Sequence, residues 1–517
     1  MLVLLALFLA GFYRLPYLDV RPMHADEAIL GVKFIDFAQT GHFDYDPADY
    51  HGPVLHYLAR AYGWVAGWSD FSKLGEAELR RVVVVCSLLL LLATLLLGDA
   101  LGRLATSSAM LLMAVSPMMV FYSRYFIMEV PFVLWLMLLM ASCWRYSQSK
   151  NWLWLLLAGA CIGLLHATKE TFIINLCAML CGWIAVRVLG FSFEPQGASF
   201  SSSRKQSSAR PWLIVALIAV FVSVALFSGF FHHWEDVRES VTTYGNYLKR
   251  SGGAGHEKPW HYYLGLLCWQ QEGYGYIWSE ALIVGLALIG ALHSLLGNFQ
   301  KQERLQGFRV FLAVYALAAL VAYSSLAYKT PWVILSVQHA LTLLAGLGLQ
   351  AVVGTLRGSF SRFVVGSLFL AGIYHLCLQT MRTIHDPRGK ISNPYMYSHT
   401  GTRALELARL LRELSTFAGD GFTLQCYTRD AGWPLPWYLR DLKHTIFGVD
   451  MPETLSASVI VADSAHAAET RAKLTTPCYN DSFNMRSSVS AVLFVEQGLW
   501  DRFQNSLQQR PTSKVQP

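Results

Sequence analysis

The stretch VVVVCSLLLLLATLLLGDAL, residues 82–101, holds twenty residues, and Asp99 is its one charged member. At about 1.5 Å of rise per residue a helix of this length spans roughly the 30 Å of a bilayer's hydrocarbon, so the run reads as a membrane-crossing helix. The rest of the chain agrees. Of its 517 residues 54% are hydrophobic and only 15% are charged, with a mean hydropathy of +0.37, which excludes an ordinary soluble enzyme. Similar runs lie near 1–13, 105–121, 127–144, 152–166, 172–189, 211–231, 277–295, 310–326, 332–356 and 363–379, making about eleven in all. The first run reads as a retained anchor, because nothing basic precedes it and no A-x-A-like site follows.

Connectors rich in lysine and arginine carry Arg103, Arg145 with Lys150, Arg187 with Arg204 and Arg210, Lys301 with Arg309, and Arg357 with Arg362. In an alternating topology these fall on one side, which the positive-inside rule makes cytoplasmic. The loops 19–80 and 232–276 and everything from 381 onward are then exterior. The net charge of +7 is thus mainly a topology signal. Nucleic acid is not expected as a partner, because no basic stripe is interleaved with aromatics. The expected division is a transmembrane domain over 1–380 and an exterior domain over 381–517. The stretch 199–211, SFSSSRKQSSARP, reads as a flexible loop. In the tail a helical pattern at 401–416 alternates with the short apolar runs FTLQCYT at Phe422, SVIVAD at Ser458 and SAVLFVEQ at Ser490, which indicates a small α/β domain. Of nine cysteines, Cys426 and Cys478 stand apart in this tail as a candidate disulfide; spacing alone leaves their pairing open.

Titratable groups gather at the exterior ends of apolar runs. Asp26 and Glu27 follow the first run within RPMHADEAILG; Arg124 and Glu129, Lys169 and Glu170, and Lys329 follow later ones. Mid-membrane placement of such groups costs about 2.5–3.5 kcal/mol each, so helix ends and cavities are where they belong. Any one of them alone reads equally well as a snorkelling or paired helix-end charge. Together, an acid pair and three cations on one face describe a site for an anionic, lipid-borne substrate.

The ordered set HADEA (24–28), GHFDYDPADYHGPVLHYL (41–58), SRYFIME (123–129), HATKE (166–170), KPWHYYL (258–264), YKTPW (328–332) and WPLPWYLRD (433–441) resembles the flippase-activity-associated family of lipid-linked glycan assembly. That family is similar to the GT-C superfamily, with its protein O-mannosyltransferases and the aminoarabinose transferase of lipid A. The resemblance implies a polytopic α-helical membrane protein of GT-C type with a small exterior C-terminal α/β domain. It implies inverting transfer of a hexosyl or pentosyl group from a polyprenyl-phosphate or diphosphate donor to a lipid or protein acceptor, at the outer face of the plasma (inner) membrane, on its periplasmic side. Asp26 maps onto the catalytic base, with Glu27 as its partner. Arg124, Lys169 and Lys329 are the candidates to hold the donor phosphate, Arg124 by its planar fork and the lysines as point charges. His24, Glu129, Glu170, Tyr50 and His51 are supporting candidates. Because several GT-C enzymes use a divalent cation, His24 and Asp26 are candidate ligands for Mn²⁺, Mg²⁺ or Zn²⁺; the alternative is that His24 hydrogen-bonds a neighbouring carboxylate. Two other classes stay open: a translocator of lipid-linked sugars, against which counts the lack of charges near the centre of any apolar run, and a non-catalytic accessory protein that uses the tail to hold partners.

Overall fold

The computed structural model describes residues 1–47, 51–193, 209–250, 255–271, 275–297, 303–385, 393–486 and 489–509. Residues cluster into two compact units. The first comprises Met1–Leu18, Asp36–Asp386 and Ile391–Tyr397; the second comprises Asp19–Ile35, Pro387–Lys390 and Ser398–Pro517.

Among the described residues of the first unit six helices are long and apolar enough to cross a bilayer: Glu76–Leu101, Glu129–Ser149, Arg210–Phe227, Leu305–Ser325, Pro331–Thr355 and Ser359–His385. Each falls on one of the eleven expected runs, and the chain is an integral membrane protein. The other five runs coincide with shorter apolar helices of 10–17 residues, Leu2–Arg14, Arg103–Val115, Leu153–His166, Phe172–Val188 and Ala281–Leu296. Local chemistry accounts for one shortening. The run at 105–121 breaks at Ser116, whose hydroxyl accepts the Met119 N–H at 3.2 Å and starts a new turn with Pro117 behind it. Pro117 has no N–H to offer the Met113 carbonyl, and Arg14 of the first helix supplies one at 2.9 Å, with a second to Ala114 at 2.9 Å. A buried arginine thus completes a helix end that proline leaves open.

Pro331–Thr355 is the axis of the unit, with 83% of its apolar window buried, against 17% for Arg210–Phe227 and 22% for Ser359–His385. The latter two expose Leu213, Leu217, Val220, Phe360, Phe363 and Leu368, apolar faces that suit lipid rather than water. Ala281–Leu296 and Leu335–Thr355 meet backbone to backbone: a Cβ on Gly290 would overlap the Leu344 carbonyl, and one on Gly348 that of Leu286. Small residues allow this approach where van der Waals packing, rather than water exclusion, holds helices together.

The second unit carries a five-stranded sheet: β1 Leu424–Tyr427, β2 Thr445–Gly448, β3 Val459–Asp463, β4 Cys478–Arg486 and β5 Val489–Glu496, in the order β2-β1-β3-β5-β4. β1 is parallel to β2 and β3, while β5 is antiparallel to β3 and β4. Alternation along the strands divides the core. Leu424, Cys426, Val459, Val461, Leu493 and Val495 pack with Leu407, Leu411 and Phe503 of the helices Thr402–Ala418 and Gln497–Gln508. Ile460, Ala462, Val492 and Phe494 form a second cluster with Leu455. The three tail segments read as strands from sequence are β1, β3 and β5; β2 and β4 escaped that reading because they are edge strands, only partly buried. Cys426 and Cys478 are both free thiols. Two strands separate β1 from β4, about 14 Å at 4.8 Å per step, beyond a disulfide's reach of about 7 Å, so the candidate pair does not form.

Candidate functional site

The residues that resemble a catalytic loop open the helix Ala25–Thr40 in a capping arrangement. The Asp26 N–H donates to His24 Nδ1 at 3.1 Å, and the His24 N–H donates to Glu27 Oε2 at 3.1 Å. This is a capping box in which an imidazole replaces the usual hydroxyl. Within it His24 and Glu27 are buried, whereas the Asp26 side chain is 51% exposed. Asp26 is the group presented outward; its two acid–base neighbours hold the turn.

Asp19–Ile35 belongs to the second unit, although the sequence reading grouped it with the transmembrane part. The attachment is specific. Met23 donates its N–H to Tyr438 Oη at 2.8 Å and accepts the Thr400 hydroxyl on its carbonyl at 2.6 Å. The His24 ring stacks on His399 with centroids 6.2 Å apart. Thr400 bridges Arg486 at the end of β4, and Arg486 donates to Asp430. Burial pushes the Arg486 guanidinium down from its ordinary pKa, and the nearby Asp26 carboxylate acts against that. Arg429 Nε donates to the buried Asp463 carboxylate at 3.0 Å; burial by itself would raise that carboxyl, but Arg429 and the Ala465 N–H hold it below the usual range.

The other motifs meet inside the first unit. In the turn between Leu153–His166 and Phe172–Val188, the Ala167 carbonyl accepts the Val54 N–H at 3.2 Å. A Cβ on Gly52 would overlap that carbonyl, so GHFDYDPADYHGPVLHYL docks on HATKE through a residue that must be glycine. His51 Nδ1 lies 2.8 Å from Glu170 Oε2. Burial would raise Glu170, yet His51 outweighs it and the carboxyl sits below its ordinary value. Lys169 donates to Glu129, joining HATKE to SRYFIME, with both side chains buried. For Lys169 burial pushes down and Glu129 pushes up, and Glu129 prevails. Arg124 donates to the carbonyls of Tyr13 and Arg14 at 3.1 Å and of Tyr17 at 3.0 Å, capping the end of the first helix where the helix dipole favours a cation. Glu257, the residue before KPWHYYL, bridges Tyr328 of YKTPW, and the Lys329 ammonium donates to the Lys258 carbonyl at 3.0 Å and to the Leu326 carbonyl.

The structure therefore brings together His24 with Asp26 and Glu27, Lys169 with Glu129, and His51 with Glu170, and directs Arg124 and Lys329 to backbone carbonyls. Tyr50 lies outside the described residues. No three His, Cys, Asp or Glu side chains converge as a metal set among the described residues, and the Nδ1 lone pair of His24 is engaged by an amide. No step below uses a divalent cation. Sequence reasoning missed Thr400, Asp430 and Arg486, which no local pattern marks. Tyr438 sits in WPLPWYLRD, and that resemblance was its one signal. It also missed Glu280, fully buried, whose carboxylate accepts from Ser116 at 2.6 Å and from the Met118 N–H at 2.8 Å.

Residues 63–235 match the family described as dolichyl-phosphate-mannose-protein mannosyltransferase. No curated protein sequence matches the chain. The crystal structure of ArnT from Cupriavidus metallidurans bound to undecaprenyl phosphate is similar at a TM-score of 0.62 and 14% identity, covering 96% of this chain and 98% of that one. The Archaeoglobus fulgidus oligosaccharyltransferase tethered to an acceptor peptide is similar at a TM-score of 0.58 and 14% identity, covering 90% of this chain and 69% of that one. Archaeal AglB from the same organism, in complex with an inhibitory peptide and a dolichol-phosphate, has a TM-score of 0.54 at 14% identity over 90% of this chain and 69% of that one. The fold is the one these structures share, and the family matched over residues 63–235 is one of mannosyltransferases.

Proposed function

We propose that this chain transfers a sugar, with inversion, from a polyprenyl-phosphate or diphosphate donor to a hydroxyl of a lipid or protein acceptor at the exterior face of the plasma (inner) membrane. The observation that carries the reading is the contrast within the first turn of Ala25–Thr40: Asp26 is open while His24 and Glu27 are buried around it. A carboxylate held this way can take the proton of an attacking hydroxyl. In one displacement the acceptor oxygen bonds the anomeric carbon, the bond from that carbon to the phosphate oxygen breaks, and the electron pair leaves with the phosphate. The acceptor proton passes to Asp26. The departing anion needs fixed positive charge, and we assign Arg124, Lys169 and Lys329 to it; their hydrogen bonds to carbonyls and to Glu129 support this by holding each cation in place beforehand. His51, Glu170 and, by resemblance, Tyr50 support the donor sugar.

The lipid carriers bound to the structural neighbours, undecaprenyl phosphate and dolichol-phosphate, support a polyprenyl donor here. The exterior placement rests on the distribution of lysine and arginine among the connectors. The test uses membranes bearing the wild-type chain or Asp26→Asn, given labelled polyprenyl-phosphate sugars with native lipid and protein acceptors. Label should move only with the wild type. Transfer unchanged by the substitution removes Asp26 as the base.

A further inference from the structure

The sheet of the second unit has a topological switch point that the reaction above leaves unused. The chain runs from β1 to β2 on one side, then passes back over β1 to lay β3 on the other, so strand order reverses between β1 and β3. In open parallel sheets, ligands bind outside the carboxyl ends of the strands at such a reversal. Arg429 and Asp430 follow directly on the end of β1, and Asp463 ends β3. Arg486 reaches the same place from β4 and donates to Asp430. Asp26 and Arg429 both lie close enough to Arg486 to act on its charge. Thr400 donates to the Met23 carbonyl and bridges Arg486, so the turn bearing Asp26 and the switch point share one neighbourhood within a single unit.

The guanidinium of Arg429 is oriented but not used up. Its Nε donates to the buried Asp463 carboxylate at 3.0 Å, while the side chain as a whole is 59% exposed. Among the described residues its two terminal nitrogens donate to no other group. A planar fork held by Nε presents two parallel N–H donors, a geometry that fits two adjacent oxygens. Charge decides what kind of oxygens. Arg429 and Arg486 meet Asp26, Asp430 and Asp463, two positive charges against three negative, so a phosphate or carboxylate would enter a site already anionic overall. Neutral hydroxyls suffer no such penalty: they accept from Arg429 and donate to the carboxylates.

We propose that the carboxyl ends of β1 and β3 form the acceptor subsite, and that it takes the adjacent hydroxyls of a neutral sugar, bracketed between Arg429 and Asp26. This rests on the transferase reading for the word acceptor, but the binding claim is tested apart from turnover. The full chain in nanodiscs of zwitterionic lipid is mixed with methyl glucoside or with methyl glucoside 6-phosphate, and saturation transfer from protein to sugar protons is recorded. The neutral sugar should give the stronger signal. Arg429→Gln should weaken its apparent affinity roughly tenfold, the scale for losing hydrogen bonds from a charged donor, and Arg429→Lys should lose less because it keeps the charge without the fork. Thermal melts of both variants establish that they fold. Unchanged binding in folded Arg429→Gln, or no signal from the wild type, overturns the subsite. Stronger, Arg429-dependent binding of the phosphorylated sugar overturns the neutral class. Donor consumption by the same nanodiscs is measured separately, so a chain that binds methyl glucoside through Arg429 yet never consumes donor refutes the transferase reading and leaves the sugar site standing.

Discussion

Met23 donates its backbone N–H to the phenolic oxygen of Tyr438 at 2.8 Å, although 415 positions separate the two in sequence. With the Thr400 hydroxyl on the Met23 carbonyl at 2.6 Å, the residue just before the turn bearing Asp26 is fixed on both its polar groups by the C-terminal part of the chain. The tail is therefore a frame for Asp26 and not an appendage.

That frame can be loosened without touching the carboxylate. Tyr438→Phe and Thr400→Val each remove one hydrogen bond, worth about 0.5–1.5 kcal/mol. We expect faster hydrogen exchange at the Met23 amide in Tyr438→Phe and reduced transfer in both. If exchange and transfer match the wild type, the tether is not what positions the turn.

Removing the proposed base, Asp26, has a larger expected effect. Asp26→Asn keeps shape and hydrogen-bonding capacity but cannot take a proton, and general-base catalysis typically contributes about 10²- to 10⁴-fold. Transfer should fall by that range with donor affinity little altered. Initial-rate measurements over donor concentration separate the two.

Lys169 and Glu129 are 5% and 6% exposed, so each leaves a stranded buried charge when the other is removed. Glu129→Gln or Lys169→Met should cost about 3–5 kcal/mol of stability, whereas the double apolar replacement Lys169→Met with Glu129→Leu should recover much of that loss while still impairing transfer. Thermal unfolding of the three variants in detergent tests this. Equal melting temperatures for single variants and wild type would contradict the pairing.

Acid should weaken the second unit through Asp463. Its carboxyl lies below its ordinary value of 3.8 in the folded chain, so the unfolded state binds the proton first on acidification. The stabilisation is complete above the ordinary value and is lost as pH falls through the lowered one. The melting temperature of Asp463→Asn should accordingly change less between pH 5 and the acid limit, roughly pH 3, than that of the wild type. Parallel acid limbs for the two proteins would rule this out.

Gly348→Leu should separate the helices Ala281–Leu296 and Leu335–Thr355, because the new side chain begins where the Leu286 carbonyl already lies. Overpacking of this kind costs about 1–3 kcal/mol or more. A wild-type melting temperature for this variant would show that the two backbones are not in contact.

The amino-acid sequence by itself determined the class of structure. Each apolar run satisfies its own solvent requirement residue by residue, so the apolar segments could be placed from local sums, and the buried strands β1, β3 and β5 could be read because their apolar residues are contiguous. The motif set HADEA, SRYFIME, HATKE and YKTPW was equally visible, being local in the chain. Only the tertiary structure decided which charges meet which. Lys169 faces Glu129, Glu170 faces His51, and the turn bearing Asp26 is held by Tyr438 and Thr400. Such pairings depend on how distant segments register against one another, and a hydrogen bond formed over a few ångströms leaves no periodic trace along the chain that makes it.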